Sequence, residues 1–141
     1  MPSADRVLVD THALLRWQAE AGQGRPDRIS TAAWDRITAA SHILVSPISC
    51  WEVAMLVGKA RIRLDRPPAA WIRDVLATDG MDVAELTPAI AVAAAELDGF
   101  HGDPADRFLY ATAQCLGVPL LSKDHLLRDY AEIDRTVAVI W

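Results

Sequence analysis

Short apolar runs alternate along the chain with longer segments in which apolar residues recur three and four positions apart. The apolar runs have the length of β-strands and lie at 7–9, 42–46, 81–86, 118–122 and 136–140. The first, second and fourth of these runs lack a clean alternation of apolar and polar residues. That pattern is typical of strands that are buried on both faces of a parallel sheet.

The segments between these runs have helical spacing. We predict helices at 12–19, 30–40, 69–78, 87–97, 103–117 and 124–130, and a further helix that starts at Pro47 or Ser49 and ends near Lys59. Residues 22–28 are predicted to form a loop. Asp103 followed by Pro104 is a favourable helix start, and Gly117 is a favourable helix end.

The alternation of strands and helices predicts an α/β fold in which right-handed crossovers join parallel strands. In such sheets, ligands bind beyond the carboxyl ends of the strands. The chain of 141 residues has the usual size of one domain, and no segment resembles a linker. We therefore predict a single domain over residues 1–141.

Composition narrows the classes of protein to consider. Hydrophobic residues make up 52% of the chain, but the apolar runs are far shorter than the ~20 residues of a membrane helix. The N-terminus does not resemble a secretory signal. The two cysteines lie in helix-like segments without other ligands at metal-binding spacing, which indicates small buried side chains. We expect a cytoplasmic protein with no membrane contact.

The net charge of −5 argues weakly against broad, non-specific binding of nucleic acid, for which a basic excess is usual. It does not argue against a nuclease, because acids that hold a metal ion contribute to a negative total. The acids near the predicted strand ends therefore need individual attention.

Each of five acids has an ordinary structural explanation. Asp10, Asp103 and Asp124 occupy positions at which they can cap the following helix. Asp106 falls in the first turn of its helix, where a negative charge suits the helix dipole. Glu52 can close a capping box with the serine three residues before it, or it can lie inside the helix on an apolar face.

The same acids taken together suggest a metal site. Asp10 and Asp124 follow predicted strands, and Asp106 lies where a helix starts. Glu52 lies early in the helix after the second strand. At one rim of a parallel sheet these carboxylates would repel one another, and a divalent cation would remove that repulsion. Because all the ligands are oxygens, the expected ion is Mg²⁺ or Mn²⁺ rather than zinc.

Such a site supports phosphoryl transfer, in which bound ions activate a water and neutralise charge on the phosphate. The hydroxyls of Thr11 and Ser122 adjoin the acids and can orient a carboxylate or a metal-bound water, or can cap strand ends. His12 and His125 also adjoin acids, but a loop or capping role is the more ordinary interpretation of both.

Four segments form an ordered set of acidic motifs: VLVDTHALLRW (7–17), SPISCWEVAMLVGKARI (46–62), DPADRFLYATA (103–113) and LLSKDHLL (120–127). In order and spacing, this set resembles the motifs of the PIN-domain family, and most of all its VapC-type toxins. The resemblance covers essentially the whole chain. It implies a three-layer α/β/α sandwich with a mainly parallel sheet of four to five strands. It also implies a Mg²⁺-dependent endoribonuclease that acts as the toxin of a toxin–antitoxin pair.

Carried over by motif, the resemblance implies four catalytic, metal-binding residues: Asp10, Glu52, Asp106 and Asp124. Asp103 matches the first acid of the DPxDR form of the motif and is expected near the metal without always binding it. One position departs from the pattern. Many relatives carry a lysine four residues after the motif glutamate, and this chain has Leu56 there, so a role that depends on that lysine is not carried over.

The resemblance also implies three partners, namely an RNA substrate, a cognate antitoxin and a second copy of the chain in a homodimer. Arg107 and Lys123 adjoin the acids and are the predicted contacts to RNA phosphates. Trp17, Trp51 and Trp71 lie on predicted helices. They could line a groove for an amphipathic antitoxin segment, or they could pack in the core or at a dimer interface.

Other classes of protein fit the residues less well. A metal-dependent phosphatase of the haloacid-dehalogenase type would carry a second aspartate two residues after Asp10, where this chain has His12. A receiver domain would carry a phosphorylated aspartate after the third strand, which here runs into Thr87 and Pro88. A catalytically degenerate PIN-like binding module is disfavoured because all four motif acids are present.

Overall fold

Five parallel strands form the centre of the structure. The computed structural model describes residues 5–19, 29–100 and 102–141. Within these ranges the strands are β1 (Arg6–Val9), β2 (His42–Val45), β3 (Met81–Val83), β4 (Leu120–Leu121) and β5 (Val139–Ile140). They lie in the order β3-β2-β1-β4-β5, and each neighbouring pair is parallel. The predicted α/β fold with a mainly parallel sheet is confirmed.

Helices cover both faces of the sheet. They are α1 (Thr11–Ala19), α2 (Thr31–Ala39), α3 (Pro47–Gly58), α4 (Pro68–Leu76), α5 (Pro88–Ala95), α6 (Pro104–Leu116) and α7 (His125–Asp134). Val7 and Val9 of β1 pack with side chains of α1, α3 and α4. Leu8, which points to the opposite face, packs with side chains of α6 and α7. The buried residues of β1 and β2, Val7–Val9 and Ile43–Val45, are all apolar because both faces of the sheet are covered.

In the ranges that the structure describes, none of these helices reaches both the length and the hydrophobicity of a membrane span.

The third strand is shorter than its predicted range of 81–86. Pairing with β2 ends at Val83, although Ala84 still donates a backbone hydrogen bond to Val45 O at 2.9 Å. The chain then turns towards Thr87, whose side chain caps α5. The predicted loop at 22–28 lies outside the described residues.

The last helix is longer than its predicted range of 124–130. Its final residue, Asp134, accepts a hydrogen bond from the Tyr110 hydroxyl at 2.6 Å. This contact ties the last turn of α7 to α6. It joins residues that are 24 positions apart, so the local pattern of α7 could not indicate it.

Local capping sets where the site-bearing helices begin. Ser46 accepts a hydrogen bond from Ile48 N at 3.1 Å, so α3 begins at Pro47 rather than at Ser49. Glu52 therefore lies inside the helix, and the capping-box interpretation of it is wrong. The predicted start of α6 is confirmed, because Asp103 accepts a hydrogen bond from the backbone N–H of the third helical residue at 2.9 Å.

The order of the strands brings the carboxyl ends of β1 and β4 together. After β1 the chain forms β2 and β3 on one side, and it later returns to form β4 and β5 on the other side. This reversal creates a crevice at the carboxyl ends of the two central strands, where ligands of such sheets bind. Asp10 N donates to Leu121 O at 3.0 Å, which fixes the first acid beside the end of β4.

Candidate active site

Asp10 lies at the centre of the crevice and is only 5% exposed. Its Oδ1 accepts a hydrogen bond from Ala13 N at 2.7 Å, and its Oδ2 accepts one from the Ser122 hydroxyl. Burial raises the pKa of this carboxyl, and the charge of Asp124 adds to the increase. The hydrogen bonds from Ser122 and Ala13 and the nearby His12 act in the opposite direction.

Ser122 links two of the predicted acids. Its hydroxyl donates to Asp10 and accepts a hydrogen bond from Asp124 N at 3.1 Å. Asp124 in turn caps α7 by accepting from Leu126 N at 2.8 Å. The hydroxyl predicted from sequence to orient a carboxylate therefore lies between the first and the last acid of the set, and it is fully buried.

Glu52 is held by a hydroxyl from the helix opposite. Thr11, directly after Asp10, donates a hydrogen bond to Glu52 Oε1 at 2.7 Å. The same Thr11 oxygen lies 2.9 Å from Ser49 Oγ. Thr11 and Ser49 are both buried, whereas Glu52 is partly exposed towards the crevice. These contacts connect α3 to the start of α1 and hold the glutamate near Asp10.

Ser49 is a residue of this network that sequence reasoning did not identify. The available signal was its position three residues before Glu52, which places both side chains on one face of α3 once the helix begins at Pro47. The same spacing also fits a capping box, so the sequence alone favours local capping for Ser49.

The pKa of the Asp106 carboxyl is also raised, by burial and by the other acids of the site. It is partly buried in the first turn of α6, one turn after the exposed Asp103. Burial, followed by the charge of Asp103, raises its pKa to about 8. The charges of Asp124, Asp10 and Glu52 contribute in the same direction. The structure thus brings the four other predicted acids close enough to influence the carboxyl of Asp106.

The chemistry of the donors fits a hard divalent cation. The groups that face one another are carboxylates and hydroxyls, which suit Mg²⁺ or Mn²⁺. Within residues 5–19, 29–100 and 102–141, no three carboxylate, histidine or cysteine side chains are grouped so that all could ligate one ion directly. Mg²⁺ commonly keeps several waters and binds through only one or two carboxylates, so this spacing still accommodates it.

Arg107 is not placed to contact RNA as predicted. Its guanidinium donates hydrogen bonds to four backbone carbonyls, those of Ala94, Ala95, Leu97 and Phe100, at 2.7–3.1 Å. A guanidinium has five N–H donors, so almost all of its capacity is used inside the protein. Arg107 joins the end of α5 to α6, and we reassign it to a structural role.

Lys123 remains exposed beside the acids. It lines a cavity of about 290 Å³ that also includes Asp10 and Asp124. The two predicted substrate-binding cations therefore differ. Lys123 faces the opening at the acids, and Arg107 is committed to backbone carbonyls.

Comparison with known families agrees with this arrangement. The model of the PIN domain matches residues 7–133 of this chain. The chain belongs to the PIN-domain family. The matched range includes all five acids, and the resemblance stated from the four motifs is confirmed. PIN-domain ribonucleases are in general metal-dependent.

A curated relative of this chain is Ribonuclease VapC22 of Mycobacterium tuberculosis (strain ATCC 25618 / H37Rv). The two sequences are 38% identical over 125 residues, a match that covers 88% of this chain and 91% of the relative. The similarity therefore extends over nearly the full length of both proteins and is not limited to the acidic motifs.

Solved structures share the fold. A toxin–antitoxin complex from Klebsiella pneumoniae contains a chain that is 20% identical to this one, with a TM-score of 0.59 over 94% of this chain and 95% of that chain. VapBC2 from Rickettsia felis, bound to a DNA fragment from their promoter, is 9% identical, with a TM-score of 0.65 over 95% and 96%. At these identities the likeness supports the PIN-domain architecture.

Proposed function

We propose that this PIN-domain protein is a metal-dependent endoribonuclease that acts as the toxin of a toxin–antitoxin pair. The observation that carries the proposal is the meeting of four motif acids at the carboxyl ends of β1 and β4 in a chain 38% identical to a ribonuclease. The structural relatives from toxin–antitoxin complexes support the biological role. We also propose that the protein acts in the cytoplasm, because RNA is its proposed substrate.

In this proposal, Asp10, Glu52, Asp106 and Asp124 hold Mg²⁺, or Mn²⁺, with one or two carboxylates bound directly and the others through water. The ion would supply charge neutralisation at the scissile phosphate and a more acidic attacking water. Ser122 keeps Asp10 and Asp124 in register by its two hydrogen bonds. Thr11 fixes the orientation of Glu52, and Asp103 remains at the rim as a helix cap.

The proposed antitoxin would bind on the side of α1 that faces the α3–α4 connection. A cavity of about 420 Å³ lies there, lined by Leu15, Ile62, Leu64 and Trp71 together with two arginines. Trp71 is mostly buried and contributes the floor, whereas Trp51 is 57% exposed on α3 and lies outside this cavity. The exposed Trp51 suits a contact with a second copy of the chain in a homodimer.

Cleavage of RNA in the presence and absence of metal tests the proposal. Wild-type protein incubated with total RNA and Mg²⁺ should produce discrete fragments, and EDTA should prevent cleavage until Mg²⁺ or Mn²⁺ is restored. Asp10→Asn and Asp106→Asn should each abolish cleavage while the fold survives, because asparagine caps α1 about as well as aspartate and because the partly buried Asp106 is not the cap of α6. Asp35→Asn, which removes an exposed acid of α2, is the matched control and should cut normally.

The same variants distinguish the competing functions. If Asp10→Asn and Asp106→Asn cut RNA as well as the wild type, the assignment of the site is wrong. If the wild type neither cuts RNA nor releases or absorbs heat on titration with millimolar Mn²⁺, a catalytically degenerate binding module is the better description.

A further inference from the structure

The cavity beside Asp10 and Asp124 has the chemistry of a nucleotide-binding subsite. We propose that in this cavity Trp141 stacks on a base of single-stranded RNA while Arg16 and Lys123 contact its phosphates. The inference rests on the proposed nuclease function, and it adds the residues that hold the substrate next to the acids.

The cavity has the size and position that one nucleotide requires. Its volume is about 290 Å³, and it is lined mainly by Asp10, His12, Arg16, Lys123, Asp124 and Trp141. Sites for small molecules measure ~300–1,000 Å³, so this one is at the lower end and too small for a helix or a duplex. Because two of the proposed metal-binding acids form part of its wall, a nucleotide bound here adjoins the reacting phosphate.

Two sheet strands bring a cation and an aromatic ring together. Ser122 N donates to Ile140 O at 3.1 Å, so β4 and β5 end side by side. Lys123 and Trp141, the residues that follow those two positions, consequently emerge at the same edge. Across the cavity, Arg16 lies four positions after His12 on α1, which places both on one face of the helix.

The positive charges of Arg16 and Lys123 can offset the repulsion between the carboxylates of the site and RNA. The chain carries a net charge of −5, and a group of carboxylates repels the phosphates of an approaching RNA. Arg16 and Lys123 have no hydrogen bond or ion pair to other residues in the part of the chain that the structure describes. Their charges are therefore available to a ligand, in contrast to the charge of Arg107.

Trp141 is held firmly enough to act as a platform. Its ring is partly buried and packs against the core cluster that contains Val9 and Leu121. The remaining surface of the residue lines the cavity. Stacking of bases on such a ring tolerates any base, because every base has a π-face, so this subsite would strengthen binding without specifying sequence.

Binding measurements on an inactive protein test this assignment. In an Asp106→Asn background, which keeps every cavity residue, a fluorescein-labelled single-stranded RNA of about ten nucleotides is titrated at several salt concentrations, and anisotropy gives Kd. Trp141→Leu should raise Kd by about five- to a hundredfold, and Trp141→Phe should stay much closer to the parent because it keeps an aromatic face. Leucine preserves apolar packing, so thermal melting should show both variants folded.

The contributions of Arg16 and Lys123 can be recognised by the salt dependence of RNA binding. Arg16→Gln and Lys123→Gln should each reduce the slope of log Kd against log salt by about 0.7, the value for one phosphate contact to a single strand. Trp141→Leu should weaken binding with the slope unchanged. Arg73→Gln, at an exposed position on α4, removes one positive charge away from the cavity and should leave Kd and slope as they are.

The outcomes separate this inference from the proposed function. The assignment of the subsite is wrong if Trp141→Leu binds RNA as tightly as the Asp106→Asn parent and if neither Arg16→Gln nor Lys123→Gln changes the salt slope. This conclusion holds even when the wild type cleaves RNA. If the wild type fails to cleave RNA with Mg²⁺, the proposed function fails whatever the binding data show.

Discussion

The two carboxylate oxygens of Asp10 have separate partners. One oxygen caps α1 through Ala13 N, and the other accepts the hydroxyl of Ser122. The roles of helix cap and site residue are therefore compatible at this position, because one carboxylate can serve both purposes. Asp124 shows the same combination, since it caps α7 and its charge reaches Asp10 and Asp106.

Thr11 should matter for metal binding although it is buried away from solvent. Replacing it with valine removes the hydrogen bond to Glu52, and loss of a residue that orients a metal ligand typically costs about 10–100-fold in affinity or activity. We expect Thr11→Val to weaken Mn²⁺ binding by that factor in calorimetric titration and to slow RNA cleavage accordingly.

Thr11→Ser is the matched control because it keeps the hydroxyl and loses one methyl group. It should bind Mn²⁺ close to the wild-type affinity. Equal loss of affinity in the serine and valine variants would show that packing at Thr11, and not its hydroxyl, is what Glu52 requires.

At the scale of helices and strands, local sequence predicts starts better than lengths. Asp103 with Pro104 predicts the start of α6 because a cap involves only neighbouring residues. The end of β3 and the last turn of α7 depend on pairing and on a tyrosine of another helix, so local patterns place them less well. The role of Arg107 was missed for the same reason, since its carbonyl partners lie up to 13 positions away.

Arg107 provides a prediction about how α5 and α6 are joined. Arg107→Met should lower the free energy of unfolding by about 2–4 kcal/mol, because several charge-assisted hydrogen bonds are lost and their carbonyls are left without donors. Urea denaturation measures this loss. The affinity of the folded variant for RNA should match that of Arg73→Gln, and a weakened affinity at unchanged stability would return Arg107 to the substrate-binding residues.

For the whole molecule, the motifs predicted more than the hydrophobic pattern did. The hydrophobic pattern predicted strands, helices and a parallel sheet. The ordered acidic motifs indicated the PIN-domain family, which the match to the family model confirms. The pattern could not show which tryptophans are buried. Trp71 is buried in the core and Trp51 is exposed, although both lie on helices with similar apolar surroundings in the sequence.

The crowding of acids predicts an unusual dependence of global stability on pH. The Asp106 carboxyl has a pKa of about 8 in the folded protein and 3.8 as its ordinary value. Between these values the unfolded chain binds fewer protons than the folded chain, so the free energy of unfolding should fall as pH rises. Because Asp106 is partly exposed and solvent screens its charge, in EDTA we expect a decrease of only about 1–2 kcal/mol from about pH 5 to pH 8, measured by urea denaturation.

Asp106→Asn should flatten that pH dependence, since the amide does not ionise, and Asp35→Asn should leave it as in the wild type. Saturating Mg²⁺ should restore stability to the wild type at pH 8 by favouring the ionised carboxylates. A wild-type curve in EDTA that is flat between pH 5 and pH 8 would contradict the assigned proximity of the acids.

The hydrogen bond between Ser122 and Asp10 joins positions 112 residues apart. A chain that grows from its amino terminus on the ribosome makes Asp10 well before it makes β4 and Ser122. Until then β1 lacks one of its two neighbours, and the acids cannot assemble. The carboxylates of the candidate site therefore come together only after the ribosome has passed Asp124, so a shorter nascent chain does not hold the assembled site.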